Sequence, residues 1–144
     1  MPDNRYFLDT NVLVYANDRT DAKKQAIAVR LITDGIHSGR AVISTQVLGE
    51  FWVVVTQKIQ VPLDRDKAIR ELENFRAMHV IGVEYDTVIS AVRIQKRYQL
   101  PYWDALILST AWIGGCQNVF SEDLNSGQRY GDVIVRNPFT PVES

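Results

Sequence analysis

Four acidic residues stand where an ordinary protein surface would not put them. Asp9 follows the apolar run Tyr6-Phe7-Leu8, which reads as a short buried strand, and Thr10 and Asn11 come directly after it. A carboxylate, a hydroxyl and an amide thus arrive in succession at a strand end. Asp123 is placed similarly, with Glu122 before it, after the strand-like Asn118-Val119-Phe120-Ser121. Asp104 has Ile107, Leu108 and Ala111 as its i+3, i+4 and i+7 neighbours, so on a helix it shares a face with core residues. Glu50 lies between Val47 and Val54, at the margin of an apolar helical stripe. A carboxylate on such a face is costly unless it is paired. Taken singly, Asp104 has a simple explanation in the positive end of its helix, and Glu50 in a rim position or an arginine partner. Taken together, two like charges about 4 Å apart repel by about 4 kcal/mol at an effective dielectric near 20. Four converging carboxylates therefore need a cation, and a hard divalent ion such as Mg²⁺ or Mn²⁺ prefers oxygen ligands. Spacing alone leaves their convergence open.

The elements that must position these acids alternate between strands and helices. Residues 17–21 are turn-like, and Ala22, Ala26, Val29 and Ile32 then recur at helical spacing up to a stop at Asp34-Gly35. Ala41-Val42-Ile43-Ser44 reads as a second strand, followed by a helix with Val47, Leu48, Phe51, Trp52 and Val55 on one side, ended by Pro62. Asp64 is the expected N-cap of a helix carrying Ala68, Leu72 and Phe75. Val80 to Val83 is a third strand, Asp86 or Thr87 caps a helix running toward Tyr98, and Pro101 is expected in the first turn of an all-round apolar helix closed by Gly114-Gly115. With Asn118–Ser121 and Val133–Val135 this predicts five strands. The expected architecture is α/β: one three-layer α/β/α domain over residues 1–144 with a mostly parallel five-stranded sheet. Ligands in such sheets bind outside the carboxyl ends of the strands, where Asp9 and Asp123 fall.

Composition excludes several classes. With 46% hydrophobic and 23% charged residues the chain has globular values, and no apolar run approaches a membrane span. A length of 144 residues suits one core. Met1 to Arg5 lacks the pattern of a signal peptide, so a cytoplasmic location is expected. Cys116 is alone, and two His with one Cys make no zinc framework, so any metal must be held by oxygen. The net charge of −1 argues against a nucleic-acid partner, unless four acids are concentrated at one site and leave the remaining surface basic in balance. Arg93, Lys96, Arg97, Arg129 and Arg136 are then candidates for phosphate contact, although a solvated helix face explains the first three equally well. Trp52, Trp103 and Trp112 are expected in the core, with Trp103 a possible base-stacking exception beside Asp104. His37 and His79 read as surface residues, and Cys116 as a small buried one.

The segment Phe7 to Ala16 closely resembles the opening of PIN-domain ribonucleases, in particular the VapC-type toxins of bacterial toxin–antitoxin pairs. Ser44 to Phe51 is similar to that family's second acidic motif, Tyr102 to Ile107 to its third, and Ser121 to Asn125, with Gly127-Gln128 and Asn137-Pro138-Phe139, to its fourth and its tail. Four motifs in order are a specific signal. The resemblance implies that Asp9, Glu50, Asp104 and Asp123 are catalytic metal ligands, with Thr10, Asn11 and Ser121 as polar supports. Ser121 departs from the Thr more usual there. It further implies Mg²⁺ or Mn²⁺ as cofactor and RNA hydrolysis to 5′-phosphate and 3′-hydroxyl ends. A cognate antitoxin that plugs the acidic cleft and a second copy of the chain are the implied partners. Two alternatives stand beside it. One is a haloacid-dehalogenase-like phosphatase with Asp9 as nucleophile, which would require a second Asp where this chain has Asn11. The other is a non-catalytic PIN-like module that binds RNA or protein.

Overall fold

The computed structural model describes residues 4–140; Met1 to Asp3, part of the stretch read for a signal, lie outside them. Six strands form one sheet in the order β3-β2-β1-β4-β6-β5. They are β1 (Tyr6–Leu8), β2 (Ala41–Ser44), β3 (His79–Ile81), β4 (Asn118–Phe120), β5 (Arg129–Tyr130) and β6 (Val133–Arg136). All pairings are parallel except β5 with β6. The expectation of five strands is corrected by β5, whose two residues are too few to carry a period in sequence and which pairs with β6 across a tight hairpin at Gly131 (φ 62°).

Six helices cover the sheet: α1 (Thr10–Ala16), α2 (Ala22–Ser38), α3 (Thr45–Gln57), α4 (Arg65–Asn74), α5 (Tyr85–Tyr98) and α6 (Tyr102–Ile113). They lie on both faces. A Cβ on Gly35 of α2 would stand 2.4 Å from the Ala41 Cβ, whereas one on Gly114, at the end of α6, would stand 3.2 Å from Val42 Cγ1. Neighbouring strand residues point to opposite faces, so α2 and α6 sandwich β2. Phe7, Leu8, Val42, Ile43 and Val119 are fully buried between the layers. Phe51 of α3 meets Phe75 edge to face, with ring centroids 5.0 Å apart.

Local chemistry explains where the element boundaries depart from expectation. Helix α2 runs through Gly35 instead of stopping there, because that glycine is required by the close approach to Ala41 and Tyr6, and the C-cap is the left-handed Gly39 (φ 73°). Glu84, and neither Asp86 nor Thr87, occupies the N-cap of α5, where its N–H donates to Thr87 Oγ1 at 3.1 Å. Pro101 is the N-cap of α6 and precedes its first turn. Asp64 caps α4 as expected, accepting from the Asp66 N–H.

Helix α6 is buried from Ala105 to Ala111, but Trp103 and Trp112 at its ends are 64% and 57% exposed. Trp112 is therefore not the core residue expected, and Trp103, the possible exception, is exposed as well, because α5 and the sheet cover only the middle of the helix. Trp52 does pack against the core. Cys116 is buried, and His37 and His79 are exposed.

Candidate active site

Strand β1 lies between β2 and β4, and the chain reaches β4 only after building β2 and β3 on the other side. The crevice at the carboxyl ends of β1 and β4 is therefore the topological switch point of the sheet, the place where α/β folds bind ligands. Asp9 leaves β1 there, and its N–H donates to Phe120 O at 3.0 Å, which ties the ends of both strands together. The Asp9 side chain caps α1. Its Oδ1 accepts from the Thr10 N–H at 2.7 Å, and its Oδ2 accepts from Ser121 Oγ at 2.7 Å. It is only 8% exposed. Burial pushes its carboxyl up to about 6, an effect opposed by the Ser121 and Thr10 hydrogen bonds and assisted by the negative charges of Asp123 and Glu50.

Glu50 is brought alongside by α3. Its Oε2 accepts from Thr10 Oγ1 at 3.0 Å and its Oε1 from Gln46 Nε2 at 2.7 Å. Gln46 also reaches Trp103 O at 3.4 Å, joining α3 to the start of α6. Asp104 lies in the first turn of α6 and is half-buried. Among the described residues no hydrogen-bond donor meets its carboxylate. Its pKa is raised, first by burial and then by Asp123 and Glu50.

Beyond β4, Ser121 is completely buried, and its oxygen also accepts from the Asp123 N–H at 3.1 Å and, more distantly, from the Leu124 N–H. Asn11 spans the same turn: its Nδ2 donates to Asp123 Oδ2 at 3.2 Å and its Oδ1 accepts from the Glu122 N–H at 3.2 Å. The adjacent acids Glu122 and Asp123 part company here. Glu122 accepts from Tyr15 Oη at 2.7 Å and pairs with Lys24, while Asp123 turns toward Asn11. Lys24 also stands over the Tyr15 ring, 4.6 Å from its centroid, and its hydrogen bonds to Glu122 and Tyr15 raise its pKa.

Asp9, Glu50, Asp104 and Asp123 thus form one electrostatic group, since Asp123 and Glu50 act on both Asp9 and Asp104. Among the described residues none of the four forms an ion pair. Nor do three acidic, His or Cys side chains among the described residues stand as a closed metal-binding group. The donor set is oxygen throughout. Side-chain rotation or bridging water is needed before it surrounds an ion, which suits a cation that keeps several of its waters. Sequence reasoning did not assign a role to Gln46, although its i−4 spacing from Glu50 on one helix places the two side chains together. The Tyr15–Lys24–Glu122 contact joins residues far apart in sequence and carries no local signal.

The PIN domain family model matches residues 6–129. Among solved structures, the chain is similar to the VapC20 toxin of Mycobacterium tuberculosis, described as cleaving the sarcin-ricin loop, at 21% identity over 82% of this chain and 89% of that one, with a TM-score of 0.64. A toxin–antitoxin complex from Klebsiella pneumoniae is similar at 17% identity over 92% and 97%, TM-score 0.69. The DNA-bound VapBC of Salmonella typhimurium is similar at 18% over 94% and 98%, TM-score 0.64. No curated protein is significantly similar in sequence. Since the matched segment begins at the first strand and encloses Asp9, Glu50, Asp104 and Asp123, the chain belongs to the PIN domain family.

Proposed function

We propose that the protein is a metal-dependent endoribonuclease and the toxin of a type II toxin–antitoxin pair. The observation that carries this reading is the group of four carboxylates at the switch point, whose mutual repulsion is met by no basic side chain among the described residues. Asp9, Glu50, Asp104 and Asp123 would hold the ion, and their all-oxygen chemistry fits Mg²⁺ or Mn²⁺. When bound, such an ion polarises a phosphoryl oxygen and lowers the pKa of a coordinated water. The chain's own residues do the rest. Ser121 and the Thr10 N–H hold both oxygens of Asp9, Thr10 and Gln46 fix Glu50, and Asn11 restrains Asp123. Asp104 accepts no hydrogen bond among the described residues and has a raised pKa, so it is the group suited to orient the attacking water and take its proton.

The phosphatase alternative loses support from Asn11. That side chain is an amide engaged with Asp123 and the Glu122 N–H, and no acid stands in its place. The similarity to toxin–antitoxin complexes supports a cognate antitoxin for this chain, and a homodimer and a cytoplasmic setting belong to the same proposal. No helix among the described residues is long and apolar enough to cross a membrane. The test is incubation of the purified protein with structured RNAs and Mg²⁺ or Mn²⁺. Cleavage to 5′-phosphate ends is expected, abolished by EDTA, by Asp9→Asn and by Asp104→Asn. Cleavage that persists in both variants refutes the proposal.

A further inference from the structure

A cavity of about 280 Å³ opens between α5, α6 and the β5–β6 hairpin, outside the acidic group. Its chemistry is unusual for a surface hollow. Arg93 and Arg97, one turn apart on α5, form one wall. Like charges at that spacing repel, yet among the described residues neither guanidinium has an ion pair. Arg97 is held against the Tyr98 ring, 5.3 Å from its centroid. Trp112 contributes a mostly exposed indole, and Ile94, Leu108 and Val133 an apolar floor. On the hairpin side Tyr98 and Tyr130 pack edge to face, and Tyr98 Oη accepts from the Gly131 N–H. Asp132 is the one acid on the wall among the described residues, and the lining they form is positive in balance.

We infer that this hollow binds one nucleotide of single-stranded RNA, its phosphate held by Arg93 and Arg97 and its base stacked on Trp112. Guanidinium groups present forked donors that match a phosphate, and exposed aromatic rings stack bases without sequence preference. The position of the hollow fits a strand that also crosses the acidic group. Asp104, Leu108 and Trp112 follow one another at four-residue steps along α6, which places the hollow's near and far edges about 6 and 12 Å along the axis from Asp104. Tyr130, on its wall, lies within the electrostatic influence of Asp104. The inference rests on the ribonuclease reading for the identity of the strand. It adds a binding subsite, separate from the four acids, that anchors RNA beside the scissile bond.

The test uses the full-length Asp9→Asn protein in EDTA, so that binding is measured without cleavage and does not depend on the metal. The probe is a fluorescently labelled single-stranded RNA octamer, followed by anisotropy. Arg93→Gln/Arg97→Gln and Trp112→Leu are each expected to weaken binding by about tenfold or more. Lys67→Gln/Arg70→Gln, on α4 and off the cavity wall, removes the same charge as control and is expected to change it far less. Without the Asp9 substitution and with Mg²⁺, the arginine variant should raise KM at nearly unchanged kcat. Circular dichroism checks folding, which the exposure of these side chains should preserve. Unchanged RNA affinity in both cavity variants overturns the inference, whether or not the native protein cleaves RNA. So does a loss limited to the arginine variant and reproduced by inorganic phosphate as competitor, which would mark an anion site only. Dissociation of a dimer in light scattering at unchanged RNA affinity would instead assign the hollow to a second copy.

Discussion

Replacing Asp9 by Asn should stabilise the metal-free protein above pH 6, even though it removes the residue on which the proposed chemistry depends. Burial raises the folded-state pKa of Asp9 from 3.8 to about 6. That difference of about 2 units corresponds to about 3 kcal/mol of cost for carrying the charge in the folded state. The sign follows from proton binding: the folded protein holds this proton more tightly than the unfolded chain. The contribution is fully present below the unfolded pKa and is lost as pH rises through about 6. Asn carries no charge to bury. It can still accept from the Thr10 N–H, but it presents its NH₂ to Ser121, whose hydroxyl must reverse, at a cost of about 1 kcal/mol. A net gain of about 1 to 2 kcal/mol remains at pH 7.5, which is about 3 to 6 °C in Tm for a chain of this size. Urea and thermal unfolding in EDTA between pH 4 and 8 should show the variant slightly the less stable at pH 4, the difference reversing between pH 4 and 6, where the unfolded chain has released the Asp9 proton and the folded protein still holds it, and levelling off above 6. Added Mg²⁺ should then raise the Tm of the native protein and leave that of the variant nearly unchanged. A variant less stable than the native protein at pH 7.5, or an offset independent of pH, refutes the reasoning.

Other perturbations test the supports. Gly35→Ala should lower the urea midpoint, because its Cβ would stand 2.4 Å from the Ala41 Cβ and 2.6 Å from Tyr6 Oη, and overpacking of about 1 to 3 kcal/mol exceeds the gain of about 1 kcal/mol in helix propensity. Ser121→Ala should cost about 1 to 3 kcal/mol in unfolding experiments by stripping a buried carboxylate of its donor. It should also move the acid limb of the pH–activity profile upward, since that hydrogen bond lowers the Asp9 pKa. Ser121→Thr should restore both. The Cys116 thiol, pushed up to about 12 by burial, should resist alkylation at pH 8 in the folded protein and react promptly in denaturant.

Strands β1, β2, β4 and β6 were legible because buried strands are short apolar runs, and the helices because their apolar residues repeat at helical spacing. Helix α1 escaped that reading. Its residues Val12, Leu13, Val14 and Tyr15 favour a strand by type, and it forms because Asp9 caps it and three of those four side chains are buried. The acids themselves were legible as carboxylates in costly places and, through the resemblance, as an ordered set. Their partners were not. That Ser121 serves Asp9, that Gln46 and Thr10 hold Glu50, and that Lys24 and Tyr15 draw Glu122 away from Asp123 are contacts between elements that only close packing makes neighbours.

The sequence by itself determined which side chains carry charge, which segments can bury an apolar face, and the order in which they come. The tertiary structure decided the rest. It crossed the chain over at β1, so that four acids from two strand ends and two helices share one electrostatic field, and it left Trp112, Arg93 and Arg97 around an open cavity. The physical reason is that repulsion among carboxylates and exposure of an indole depend on distance and covering atoms, and neither is a property of spacing along the chain.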